Sequence, residues 1–132
     1  MTRREMRKNM FCLMFQKEFY CEDEYDRQRE IYLDEQSVSE EERQEIDDRW
    51  KDLIGNLEEI DAKISAHSKG WKLDRIAKAE LAILRLAVYE ALYDDEVPVG
   101  VAVNEAVELA KMYGEDNGAA FVNGILGKIV NE

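Results

Sequence analysis

Met6, Met10, Leu13 and Met14 recur at three- and four-residue steps, which lines one side of an α-helix and predicts a first helix from Thr2, as cap, to Phe19 or Tyr20. At about 100° per residue, Arg4, Phe11 and Phe15 share a narrow sector of that helix, so cationic turns precede an aromatic face. Residues 22 to 36 hold only sparse apolar positions (Tyr25, Ile31, Tyr32, Leu33), the pattern of a surface helix bounded by Ser37 and Ser39. Ser39 and Glu42 have the spacing of a capping box, and Ile46, Trp50, Leu53, Ile54, Leu57, Ile60 and Ile64 keep helical period for about five turns. That series predicts one long helix, with Gly55 inside it as the place for a kink or a close helix crossing. Ser68 and Gly70 then interrupt the chain between His67 and Trp71. Ile76, Ile83, Leu84, Ala87, Val88 and Leu92 mark the next amphipathic helix, and Pro98 opens another that carries Val103, Ala106, Val107 and Ala110 and stops at Gly114. Phe121, Val122, Ile125, Leu126, Ile129 and Val130 mark the last. The expectation is an all-α fold of six or seven helices in two packed small bundles sharing one core, with residues 1–132 a single domain.

Composition agrees with helices throughout. Proline occurs once, glycine seven times, threonine only at Thr2, and strand-like alternation of Val, Ile and Thr is almost absent. At 132 residues the chain suffices for one compact domain. It has no 18-residue apolar run and no signal-peptide pattern, so it is expected to be cytoplasmic and off the membrane. Cys12 and Cys21 stand nine positions apart with no CxxC and a single histidine, which argues against both a zinc site and a disulfide framework.

Charge changes the picture more. A formal net charge of −12 repels a polyanion if it is evenly spread. It is not. Residues 1–20 hold Arg3, Arg4, Arg7, Lys8 and Lys17 against Glu5 and Glu18, a local +3 that leaves −15 on the remainder. Glu22 to Asp48 alone has thirteen acids against three arginines. The chain thus reads as a basic N-terminal helix (1–20), an acidic helical region (22–65) and a more apolar second half.

Arg3 and Arg7, and Arg4 and Lys8, are i, i+4 neighbours and form two short cationic rows suited to phosphates. Four contacts to a single strand give a salt slope near −3, at about −0.7 per phosphate, so affinity needs help from base stacking or from a second binder. Lys69, Lys72, Arg75 and Lys78 are further cationic candidates near the mid-chain break, with Trp71 or a tyrosine available to stack on a base. The same rows can equally serve to offset the acidic body through surface pairs, and composition does not choose between these readings.

The blocks WKLDRI (Trp71 to Ile76), ILRLAVYE (Ile83 to Glu90), Val97-Pro98, VNEAVELAKMYG (Val103 to Gly114) and FVNGIL (Phe121 to Leu126) resemble the signature half of the NusB family, here residues 71–130. With the arginine-led first helix, the resemblance covers roughly the first 20 residues and all of 71 to 130. It implies an all-helical adaptor that holds single-stranded boxA-type leader RNA in its N-terminal arginine segment, cooperatively with NusE, a small-subunit ribosomal protein. Through an RNA polymerase antitermination complex, such adaptors promote transcription of ribosomal RNA operons. Carried over by position, the RNA-facing residues are Arg3, Arg4, Arg7 and Lys8, joined on charge grounds by Lys69 and Lys72. Cys12 stands where the family usually has Gln, Gly118 where a Ser often precedes the FVNG block, and Lys8 where many members have Glu.

Several of these residues also have packing readings. Asn104 and Glu105 suit a helix start, Asn123-Gly124 suggests a close approach where a side chain would clash, Arg85 and Glu90 suggest a partly buried tether between helices, and His67 suits a helix C-cap. Chemistry of other kinds has little support. A helical di-metal site wants inward Glu with ExxH spacing, and neither a GxxxxGK[ST] nor a GxGxxG phosphate loop occurs. No enzyme activity, metal or cofactor is expected. The alternative to the RNA adaptor is a protein-only interaction module or a self-sealed homodimer that buries its own first helix.

Overall fold

A computed structural model describes residues 1–70 and 72–132. The described residues form seven α-helices and no strand: α1 (Arg3–Lys17), α2 (Glu22–Glu35), α3 (Glu40–Gly55), α4 (Leu57–Ala66), α5 (Lys78–Tyr93), α6 (Val99–Tyr113) and α7 (Gly118–Val130), with a 3₁₀ turn at Leu73–Arg75. They divide into two compact units, Met1–Ile54 and Gly55–Glu132.

In the first unit, the Thr2 hydroxyl accepts the Glu5 N–H at 3.0 Å and donates to the Glu5 carboxylate, closing the first turn of α1. The stripe expected from spacing, Met6, Met10, Leu13 and Met14, is buried, and Phe11 of the aromatic sector is buried with it. Two tyrosines of α2 tie it to α1. The Tyr25 hydroxyl donates to the Leu13 carbonyl at 3.1 Å, and the Tyr32 hydroxyl donates to Asn9 Oδ1 at 2.8 Å. Tyr25 also stacks on Trp50 of α3, ring centroids 5.4 Å apart, and its burial raises its pKa. The capping box before α3 is formed in both directions, Ser39 N–H to Glu42 at 2.9 Å and Glu42 N–H to Ser39 Oγ at 3.1 Å. Four acids of this unit are matched by arginines: Arg29 pairs with Asp47, Arg43 with Asp34 and Glu30, and Arg49 with Glu45.

The long helix expected over Ile46 to Ile64 is two helices. It breaks at Asn56, whose φ of −109° and ψ of 6° leave the helical region, immediately after Gly55. Gly55 is not a close crossing point, since a Cβ built there meets nothing within 4 Å.

In the second unit α5 is the central element, packed against α4, α6 and α7. Every residue from Leu81 to Glu90 is buried, so the helix expected to be amphipathic is instead covered on all sides; of its expected stripe, Ile76 lies ahead of the helix and Leu92 is exposed. Arg85 spans to α4 with a two-pronged bond to Asp61, Nε to Oδ1 at 2.8 Å and a terminal nitrogen to Oδ2 at 3.0 Å. Arg85 therefore tethers two helices as expected, through Asp61 of α4, whereas Glu90, the acid named with it from sequence, is buried on the same helix. His67 caps α4, its N–H bonded to the Ile64 carbonyl, and its ring reaches Glu132 at 2.9 Å. Gly114 ends α6, and a Cβ there would lie 2.7 Å from the Ala110 oxygen, so no larger residue fits that stop.

Two packing expectations fail. A Cβ on Gly124 meets nothing within 4 Å, so this glycine leaves open surface. Asn104 and Glu105 lie beyond the first turn of α6, where no cap is made; the helix starts after Pro98.

Candidate nucleic-acid interface

Each unit carries a cationic surface. On α1, Arg3, Arg4 and Lys8 are exposed, whereas Arg7, one turn on from Arg3, is only 7% exposed. The helical period explains the split: Arg7 lies between Met6 and Met10, on the side that the apolar stripe turns inward. The exposed cations stand at the N-terminal end of a fifteen-residue helix, where the helix dipole adds positive potential. Further along α1 an aromatic ladder runs outward from the core. Phe11 is buried and stacks on Phe15 at 6.0 Å, Phe15 meets Phe19 edge-on at 5.1 Å, and Phe19 is 56% exposed.

In the second unit, Lys69, Lys72, Arg75 and Lys78 are all exposed, as their spacing around the break suggested. Lys69 sits at φ +50° ahead of Gly70 at φ +84°, a left-handed pair that reverses the chain after α4 and projects Lys69 from the turn. Trp71, the stacking candidate of the sequence, lies outside the described residues.

The sequence reading missed the concave part of this unit. A groove of about 640 Å³ is lined by Arg75, Ile76, Glu80, Asn117, Gly118 and Phe121, among others. Glu80 is 5% exposed. Its Oε1 accepts a long 3.4 Å bond from the Glu115 N–H, while its Oε2 is buried with no hydrogen-bond partner among the described residues. A buried carboxylate oxygen without a donor is costly unless something supplies one. Gly118 is part of the arrangement, because a Cβ there would stand 2.8 Å from Glu80 Oε1. Glycine, in place of the serine common in the resembled family, gives that carboxylate room. The signal for Glu80 was visible as a lone acid within the apolar run AKAELAIL, and Phe121 opens the FVNGIL block.

The groove has the chemistry to take a planar polar ring: Phe121 can offer a ring edge or face, the Glu80 carboxylate can accept N–H groups, and Arg75 at the lining brings positive charge. The acids of α2 and α3 do not compose a second site: among the described residues no three His, Cys, Asp or Glu side chains come together as a metal set. No helix among the described residues is long and apolar enough to cross a membrane.

Comparison with known proteins places this geometry. A model of the NusB family matches residues 1–131. The transcription antitermination protein NusB of Agathobacter rectalis is 48% identical over 129 residues, covering 97% of this chain and 98% of that protein. A solved structure of T. maritima NusB superposes with a TM-score of 0.91 at 36% identity, covering 100% of this chain and 92% of that one. A chain in a crystal structure of antitermination factors NusB and NusE in complex with dsRNA has the same fold, with a TM-score of 0.80 at 23% identity over 98% of this chain and 96% of that one. The all-α fold and the family expected from the signature blocks are both met: the chain belongs to the NusB family.

Proposed function

We propose that this chain is a transcription antitermination factor: a non-catalytic, cytoplasmic adaptor that binds single-stranded boxA-type leader RNA together with NusE and so promotes transcription of ribosomal RNA operons by an RNA polymerase antitermination complex. The observation that carries this reading is the exposure of Arg3, Arg4 and Lys8 at the positive end of α1 in a chain of net charge −12. Those three take the direct phosphate contacts, and the buried Arg7 holds the turn that presents them. In the second unit Lys69, Lys72 and Arg75 supply further cations, and the groove over Glu80 and Phe121 takes a base. The name of the Agathobacter rectalis relative supports the antitermination role, and the NusB and NusE complex with dsRNA supports the choice of partners.

Charge also explains why a second protein is needed. A handful of lysine and arginine contacts gives a shallow salt slope and modest affinity for a single strand, and the field of the remaining acids opposes approach. A basic ribosomal protein is drawn to those acids, and the joined pair brings more phosphate contacts to one strand. The test is the charge reversal Arg4→Glu. Binding of a boxA-type oligonucleotide, measured by fluorescence anisotropy with NusE present, should weaken at least tenfold, while the circular dichroism of the variant matches the wild type. Unchanged affinity would remove the first helix from the site.

A further inference from the structure

Phe121, which lines the Glu80 groove, also lines a second, smaller cavity that the reading above does not use. Its volume is about 210 Å³, several times the roughly 30 Å³ of one water. His67, Ser68 and Lys69 line it from the turn after α4, and Ala120, Phe121, Gly124, Ile125 and Lys128 line it from α7.

Its electrostatics are unusual for so acidic a chain. Lys69 and Lys128 lie close enough that, after partial desolvation, the charge of Lys69 and its contact hold the Lys128 ammonium below the ordinary lysine pKa. Among the described residues no carboxylate pairs with either lysine. Glu132 is engaged by the ring of His67, a lining residue of the cavity, at 2.9 Å and by Lys63 at 3.9 Å. Two ammonium groups held together repel each other, and an anion between them turns that repulsion into two charge-assisted hydrogen bonds. Small residues keep the approach clear, since Ala120 and Gly124 are exposed and a Cβ on Gly124 meets nothing within 4 Å. Phe121 lines both this cavity and the Glu80 groove, so a nucleotide whose base lies in the groove has its backbone close at hand.

We propose that Lys69 and Lys128 form a phosphate seat beside Phe121 that holds one backbone phosphodiester of the bound single-stranded RNA. The proposal rests on the RNA-binding reading given above and extends it to α7. An exposed pair of lysines is a point-charge site without base preference, so it sets where the strand runs and not which sequence is chosen.

The test compares wild type, the double variant Lys69→Gln/Lys128→Gln and Arg4→Glu, binding a boxA-type RNA oligonucleotide across a salt series with NusE present. The double variant should keep its circular dichroism and melting temperature, lose about tenfold in affinity at low salt, and flatten the log–log salt slope by about 0.7 for the lost phosphate. An oligonucleotide carrying a neutral methylphosphonate at the seated linkage should bind wild type more weakly and the double variant no more weakly than before. Unchanged affinity and slope in the double variant, with Arg4→Glu still weakened, would overturn the seat and leave the RNA-binding reading standing. A wild type that shows no salt-sensitive RNA binding in the same assay brings down that reading, and the seat with it. A titration in which inorganic phosphate shifts the Lys128 NMR signals, while the double variant binds RNA normally, assigns the cavity to a free anion and also overturns the seat.

Discussion

Arg7 and Arg3 stand one turn apart on α1, yet one is buried and the other meets solvent. A residue-by-residue transfer from the family names all four cations, whereas packing separates one buried arginine from three exposed cations. At the same scale, the start of the chain is tied down by the amino group of Met1 on Glu42. That hydrogen bond, followed by the Ser39 backbone N–H, holds the Glu42 carboxyl below the usual glutamate range. The sign follows from linkage. A carboxylate whose folded pKa is depressed contributes stability that is fully present above its unfolded value, about 4.3, and is lost as pH falls through its lower folded value. Glu42→Gln should therefore be less stable than wild type near neutrality, and urea denaturation in acid should show the gap closing below about pH 4. A gap that stays constant into acid would assign it to lost packing.

At the scale of elements, period alone located most of what is seen. The stripes on α1, α6 and α7 and the Ser39–Glu42 box were legible because each is local, set by three- and four-residue steps and by side chains that bond their own backbone. The break between α3 and α4 was not, because apolar spacing runs across it in register, and only the backbone at Asn56 departs from helix. The choice of Asp61 as the partner of Arg85 was likewise hidden, since it depends on how α4 lies against α5 and the two are 24 positions apart. That bond is well placed to matter: the Arg85 side chain is 10% exposed and Asp61 22%. Asp61→Ala should destabilise the second unit by about 2 kcal/mol, read from urea unfolding, because it strands a guanidinium in a mostly buried position. A loss under about 0.5 kcal/mol would class the pair with ordinary surface salt bridges.

Over the whole molecule, the charge that selects partners also strains the fold. An excess of twelve negative charges repels itself, and the arginine pairs of α2 and α3 relieve only part of it. Added sodium chloride should raise the melting temperature over the range where it weakens RNA binding, as screening relieves repulsion in one case and attraction in the other. A melting temperature that falls with salt would mean that paired charges outweigh the excess. The family blocks announced the RNA-binding class, but the groove over Glu80 and the Lys69–Lys128 cavity needed coordinates, since each gathers residues from separate segments of the second unit. The most direct test of RNA binding through the first helix is a map of perturbed side-chain NMR signals on adding boxA-type RNA to the chain with NusE. The guanidinium signals of Arg3 and Arg4 and the ammonium signal of Lys8 should shift and broaden with RNA. Signals at those three positions that stay fixed while RNA binds elsewhere would contradict the account.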